Sequence, residues 1–180
     1  MDAVKTLSEE ALLALATTIK RFEVVNGELR VYPPMGEQAG RAKSNLIYGL
    51  GKFVSAGGIG QVYPSVGYVV EGSPEAVIRL LGPDITFVHA AKVQSTVGYL
   101  YYSPDLAIDF IRESESYSEI RKKVDEYVRY GVQEVWLVSP DRKQVDLFFA
   151  DGTGVTFRVG QTIQASRVLA GLALAVNDIF

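Results

Sequence analysis

Residues Leu106 to Ile111 read Leu-Ala-Ile-Asp-Phe-Ile, a nearly unbroken apolar run with one carboxylate, Asp109, inside it. A strand without polar alternation is covered on both faces, which is the condition of a central strand in a parallel or mixed sheet. Helices or further layers must therefore flank it, and the chain must be α/β. An idle charge is expensive in such a strand, so Asp109 needs either a partner or a task. Beyond the run, Ser116 or Ser114 can cap a helix through Tyr130 that turns Ile120, Val124, Tyr127 and Val128 inward and stops at Gly131. Glu134 to Val138 then forms a strand with Trp136 in the core. This strand-helix-strand order makes the two strands parallel.

The remaining segments fill out a mixed sheet. Thr6 or Ser8 can cap a first helix that buries Leu12, Leu13, Leu15 and Ala16 and ends near Lys20. Phe22 to Val25 and Glu28 to Tyr32 flank Asn26-Gly27, a strong hairpin signal because both turn residues must take positive φ. Pro33-Pro34 ends that hairpin. Leu46, Ile47, Leu50, Phe53 and Val54 recur at helical spacing between Glu37 and about Ser55. Gly57-Gly58-Ile59-Gly60 stops this helix; the glycines follow a helix instead of opening one and lack Gly-Lys-Ser/Thr, which argues against a phosphate loop. Val62 to Val70 and Ala76 to Leu81 read as strands about Gly72-Ser73-Pro74, with Ile85 to Val88 as another after Pro83-Asp84. Gln144 to Phe149 and Val155 to Val159 flank Asp151-Gly152-Thr153-Gly154 as a second hairpin. Leu169 to Phe180 is apolar without a clear period. The 180 residues suit one domain over 1–180.

Composition narrows the chemistry. Apolar residues make up 48% and charged ones 22% of the chain, which excludes disordered and charged-tail classes. The net charge of -3 argues against a nucleic-acid coat protein, although a local basic groove stays open. The absence of cysteine and the single histidine exclude thiolate zinc sites, cysteine nucleophiles and two-histidine metal sites within one chain. That histidine, His89, reads as a surface or strand-end residue. Glu9 and Glu10 interrupt the first apolar stretch, so it fits no export signal, and a cytoplasmic location is expected. No apolar run approaches the roughly 18 residues of a membrane span.

Two acids stand in places that suit chemistry: Asp84 at the start of a strand and Asp109 within one. Neighbouring strands lie about 4.8 Å apart, so carboxylates at adjoining strand ends can share one hard cation such as Mg²⁺. The competing reading has Asp84 capping a turn and Asp109 paired with an Arg or Lys. Lys123 lies about 60° from Ile120 and about 40° from Tyr127 around the helix, whereas Lys122 lies about 160° from Ile120. Lys123 can therefore reach the acids, or else form an ordinary pair with Glu119.

With these pieces in order, the chain resembles the Uma-type endonucleases, a branch of the restriction-endonuclease-like PD-(D/E)XK nucleases. The resemblance is carried by Phe22-Glu23-Val24-Val25-Asn26-Gly27-Glu28-Leu29, Pro83-Asp84-Ile85-Thr86-Phe87-Val88, Pro104-Asp105-Leu106-Ala107-Ile108-Asp109-Phe110, Lys123, Tyr127, Gly131-Val132, Trp136-Leu137-Val138, Leu169-Ala170-Gly171-Leu172 and Ile179-Phe180. It spans essentially the whole chain. It implies a restriction-endonuclease-like fold, with a central mixed β-sheet flanked by helices, an N-terminal β-hairpin and an additional C-terminal hairpin. The implied activity is hydrolysis of phosphodiester bonds, in DNA in the first instance, with Mg²⁺ or Mn²⁺ as cofactor. Asp84 and Asp109 resemble the metal-binding acids and Lys123 the family's lysine, moved to the helix because Ile111 stands at its usual place. Glu23 resembles an extra acid of the first hairpin, or is an exposed hairpin charge. Arg41, Lys43, Lys52 and Arg112 are candidate phosphate contacts. The chain departs from the pattern in four places: Asp stands for Glu at 109, Leu81-Gly82 where Arg is common, Arg112 where Ser is, and Glu37 to Arg41 without the histidine that many members carry early in that helix. The alternatives are a nuclease-fold binding or scaffold protein without catalysis and a general metal phosphohydrolase acting on small phosphoesters, and a homodimer is left open.

Overall fold

The computed structural model describes residues 6–111 and 115–180; Arg112 and the alternative cap Ser114 lie outside the described residues. Helix α1 (Glu9–Leu15) is capped by the Ser8 hydroxyl, which accepts from the Ala11 amide at 3.2 Å. It ends before Lys20 because the chain passes into turns after Leu15, and Leu13 is exposed while Leu12 is buried. Strands β1 (Phe22–Val25) and β2 (Glu28–Val31) form the hairpin, with Asn26 and Gly27 both at positive φ (52° and 76°). Helix α2 (Glu37–Gly57) buries Ala42, Leu46, Leu50 and Val54 and is ended by Gly58 in the left-handed region.

The stretch 62–70 is not one strand. Strand β3 (Gly60–Pro64) and strand β4 (Tyr68–Ser73) belong to different sheets, and the chain changes sheet at Ser65, whose φ is 56°. Strand β4 pairs with β5 (Ala76–Leu81), and the two join the first hairpin in a four-stranded sheet of order β2-β1-β5-β4.

Strands β6 (Ile85–His89) and β7 (Leu106–Phe110) pair antiparallel, and helix α3 (Tyr117–Arg129) leads to β8 (Glu134–Ser139), parallel to β7. Strands β9 (Gln144–Phe149) and β10 (Gly154–Arg158) form the C-terminal hairpin and complete a six-stranded mixed sheet of order β10-β9-β8-β7-β6-β3. Strands β11 (Thr162–Ile163) and β12 (Leu174–Ala175) make a small separate pair. Leu106, Ile108 and Phe110 pack with Trp136, α2 and the segment from Ile163 to Ile179 on one face of the large sheet. Ala107, Val135 and Leu137 pack with Val124 and Tyr127 of α3 on the other. All five residues of β7 are buried, Asp109 included, as a strand covered on both faces requires. Among the described residues no helix is long and apolar enough to cross a membrane.

Candidate active site

Register brings the two acids together. In the β6–β7 pair, Ile85 lies opposite Ile108 and Thr86 opposite Ala107; one step further sets Asp84 opposite Asp109. Strand parity puts both on the α3 side, since Ile85, Ile108 and Phe110 face α2. Each carboxylate is latched by the other strand: the Asp84 amide donates to Asp109 Oδ1 at 3.1 Å, and the Phe110 amide to Asp84 Oδ2 at 3.0 Å.

Three cations surround the pair. Arg21, in the bend before β1, spans both acids, with Nη1 3.1 Å from Asp84 Oδ2 and Nη2 2.8 Å from Asp109 Oδ1. Lys43 of α2 reaches Asp84 Oδ1 at 3.3 Å and donates to the Ser65 hydroxyl at 2.8 Å. Lys123 of α3 lies 3.4 Å from Asp109 Oδ2, and the Tyr127 hydroxyl donates to that same oxygen at 2.7 Å. All four carboxylate oxygens are thus engaged. Burial pushes the Asp84 carboxyl up, and the neighbouring Asp109 pushes it further. Burial also opposes ionisation of Asp109, but Lys123 and Arg21 outweigh it and hold that carboxyl below the usual range.

Glu23 is not an exposed hairpin charge. It is buried on β1, takes a short hydrogen bond from the Tyr32 hydroxyl and accepts from the Gly82 amide at 3.2 Å. Burial pushes its carboxyl above the usual range. The Arg21 guanidinium lies 4.7 Å from the centre of the Tyr32 ring, which joins the first hairpin to the acids. Lys123, Glu23, Arg30, Tyr32 and Lys122 line a cavity of about 500 Å³. Lys123 pairs with Asp109 and Glu115, while Glu119 serves the helix cap instead of an ion pair to Lys123.

Of the expected phosphate contacts, Lys43 faces Asp84, Arg41 pairs with Glu37 at 3.8 Å along its own helix, and Lys52 lines a separate cavity with Tyr48, Phe53 and Leu172. His89 stands at the end of β6 with its ring edge-on to Phe87. Arg21 is the site residue that the sequence reading lacks; its only signal is a position two residues before Glu23. The donor set, two carboxylates bridged by one guanidinium through separate nitrogens, is of the hard-oxygen kind that suits a divalent cation. Among the described residues no cluster of three or more metal-ligating side chains adds to them.

No curated protein matches the chain. Among solved structures, a nuclease of the DUF820 group from Anabaena variabilis, described as "putative", superposes with a TM-score of 0.77 at 17% identity over 97% of each chain. At that identity the likeness shows a shared fold, including the mixed sheet on which both aspartates sit. A family model described as "Putative restriction endonuclease" matches residues 9–177, a span that takes in Arg21, Glu23, Asp84, Asp109 and Lys123, and the chain accordingly belongs to the Uma2 family.

Proposed function

We propose that the protein is a cytosolic, divalent-metal-dependent endonuclease that hydrolyses phosphodiester bonds in DNA, with Asp84 and Asp109 holding Mg²⁺ or Mn²⁺. The observation that carries this reading is the placement of two buried carboxylates opposite one another at one end of a sheet, with Lys123 3.4 Å from Asp109. A bound divalent ion supplies positive charge to a phosphoryl oxygen and favours ionisation of a hydrolytic water. Lys123 is placed between Asp109 and the cavity that a phosphate would enter, where its ammonium offsets charge developing on the phosphoryl group. Tyr127 fixes the Asp109 carboxylate through its hydroxyl. Glu23, whose carboxyl burial pushes upward and which accepts from the Tyr32 hydroxyl, lines the same cavity, where it is suited to contact the hydrolytic water. Arg30 and Lys122 at the cavity wall add phosphate contacts for a strand running past it.

One observation favours a second reading, a catalytically silent nuclease-fold protein that binds nucleic acid: each acidic oxygen already has a partner within the chain. Supercoiled plasmid separates the two. With Mg²⁺ or Mn²⁺ the wild-type protein is expected to give nicked circles, and the double variant Asp84→Asn, Asp109→Asn to lose at least about a hundredfold in rate. Plasmid retained by the protein without nicking, at every metal concentration, supports the silent reading instead.

A further inference from the structure

Arg21 bridges Asp84 and Asp109, the two acids assigned to a metal ion in the reading above. Lys43 and Lys123 each touch one acid, on the oxygen that Arg21 does not contact, whereas Arg21 among these three cations contacts both acids. Three cations already stand at contact range of the two carboxylates, with Glu115 offsetting part of the charge of Lys123. A divalent ion added to that set would meet three like charges at contact range, so one cation has to leave. Arg21 is the one whose departure frees an oxygen of each acid at once.

Its housing suits departure. The side chain is 17% exposed, on a bend and not within a strand. Its Nε is buried without an acceptor among the described residues, so the guanidinium is incompletely satisfied where it stands. It also borders a cavity of about 510 Å³ walled by Pro34, Met35, Phe110, Ile111 and Pro140, which offers room for the displaced group. The Tyr32 ring, 4.7 Å away, can keep contact with the cation as it turns.

We propose that Arg21 is a built-in counter-ion that closes the seat between Asp84 and Asp109, and that divalent metal binds by displacing its guanidinium. The inference rests on the metal reading above and adds a regulatory element to it: the affinity for metal is set by competition with a side chain of the same protein. Arg21 is a gating residue here, acting through the acids.

The test is Mn²⁺ binding, followed by the paramagnetic resonance signal of free Mn²⁺ titrated against wild type, Arg21→Ala, Arg21→Lys and Asp109→Asn. Arg21→Ala is expected to bind Mn²⁺ at least about tenfold more tightly than wild type. Arg21→Lys, which keeps a charge but cannot span both acids, is expected between them. If Arg21→Ala does not fold, Arg21→Lys decides the matter by the same criterion of tighter binding than wild type. Equal or weaker binding by the Arg21 variants, with binding lost in Asp109→Asn, overturns the competition and leaves the metal site standing. Failure of wild type and both Arg21 variants to bind, or undiminished binding by Asp109→Asn, overturns the metal site and the competition with it.

Discussion

Lys122 and Lys123 are neighbours in the chain and line the same cavity, but Lys123 also meets Asp109 and Glu115 behind it, whereas Lys122 makes no ion pair with either acid among the described residues. Lys123→Ala is expected to lower plasmid nicking by about a hundredfold, within the range for losing one oriented charge at a reacting group, with Lys122→Ala within a few fold of wild type. The reverse order would remove Lys123 from the site. Helical phase makes this lysine legible because Ile120 and Tyr127 mark the inner face of α3, and strand parity does the same for Asp84 and Asp109. Neither rule touches Arg21. It belongs to no periodic element, and its bond to Asp109 joins residues 88 positions apart, a contact that only the completed fold creates. Glu23 is half legible: the hairpin is evident, but the neighbours that enclose this carboxylate, Gly82 and the Lys123 and Tyr127 face of α3, come from distant parts of the chain.

At the scale of elements, α3 opens with a reciprocal cap: the Ser116 hydroxyl accepts from the Glu119 amide, and the Glu119 carboxylate accepts from the Ser116 amide at 2.8 Å. Ser116→Ala should cost about 1 kcal/mol in urea unfolding, the usual value of an N-cap. No loss would show that the tertiary contacts of α3 dominate its first turn. The Asn26-Gly27 hairpin, the Gly58 helix stop and the parallel pairing of β7 and β8 all follow from local chemistry and were readable. The stretch 62–70 was not, because an apolar run says nothing of which sheet each half joins. Pro64 and Gly67 within it are the available signal, and the left-handed Ser65 between them makes the turn from one sheet to the other.

Across the whole molecule, the segment from Ile163 to Ile179 closes the α2 face of the large sheet. Ile163, Leu169, Val176 and Ile179 are fully buried there, and the Glu134 carboxylate accepts from the Arg167 and Val168 amides to tie the segment down. Its type was illegible because side chains held by irregular backbone, short β11–β12 pairing and a turn of 3-10 helix share no single period. Ile179→Ala should cost about 2–5 kcal/mol in urea unfolding, the range for a truncated core residue; a cost under 1 kcal/mol would mean that the segment merely lies over a core already closed. The Asn45 side chain on α2 donates to the Ile179 carbonyl across 134 positions. At about 5–20 residues per second, a ribosome needs roughly 7–27 s to add that much chain. Throughout that interval α2, which carries Lys43, has been synthesised but lacks its covering layer. The α2 face of the sheet can therefore close only after the segment from Ile163 to Ile179 has been made, so the helix that carries Lys43 waits on residues far along the chain for its final packing.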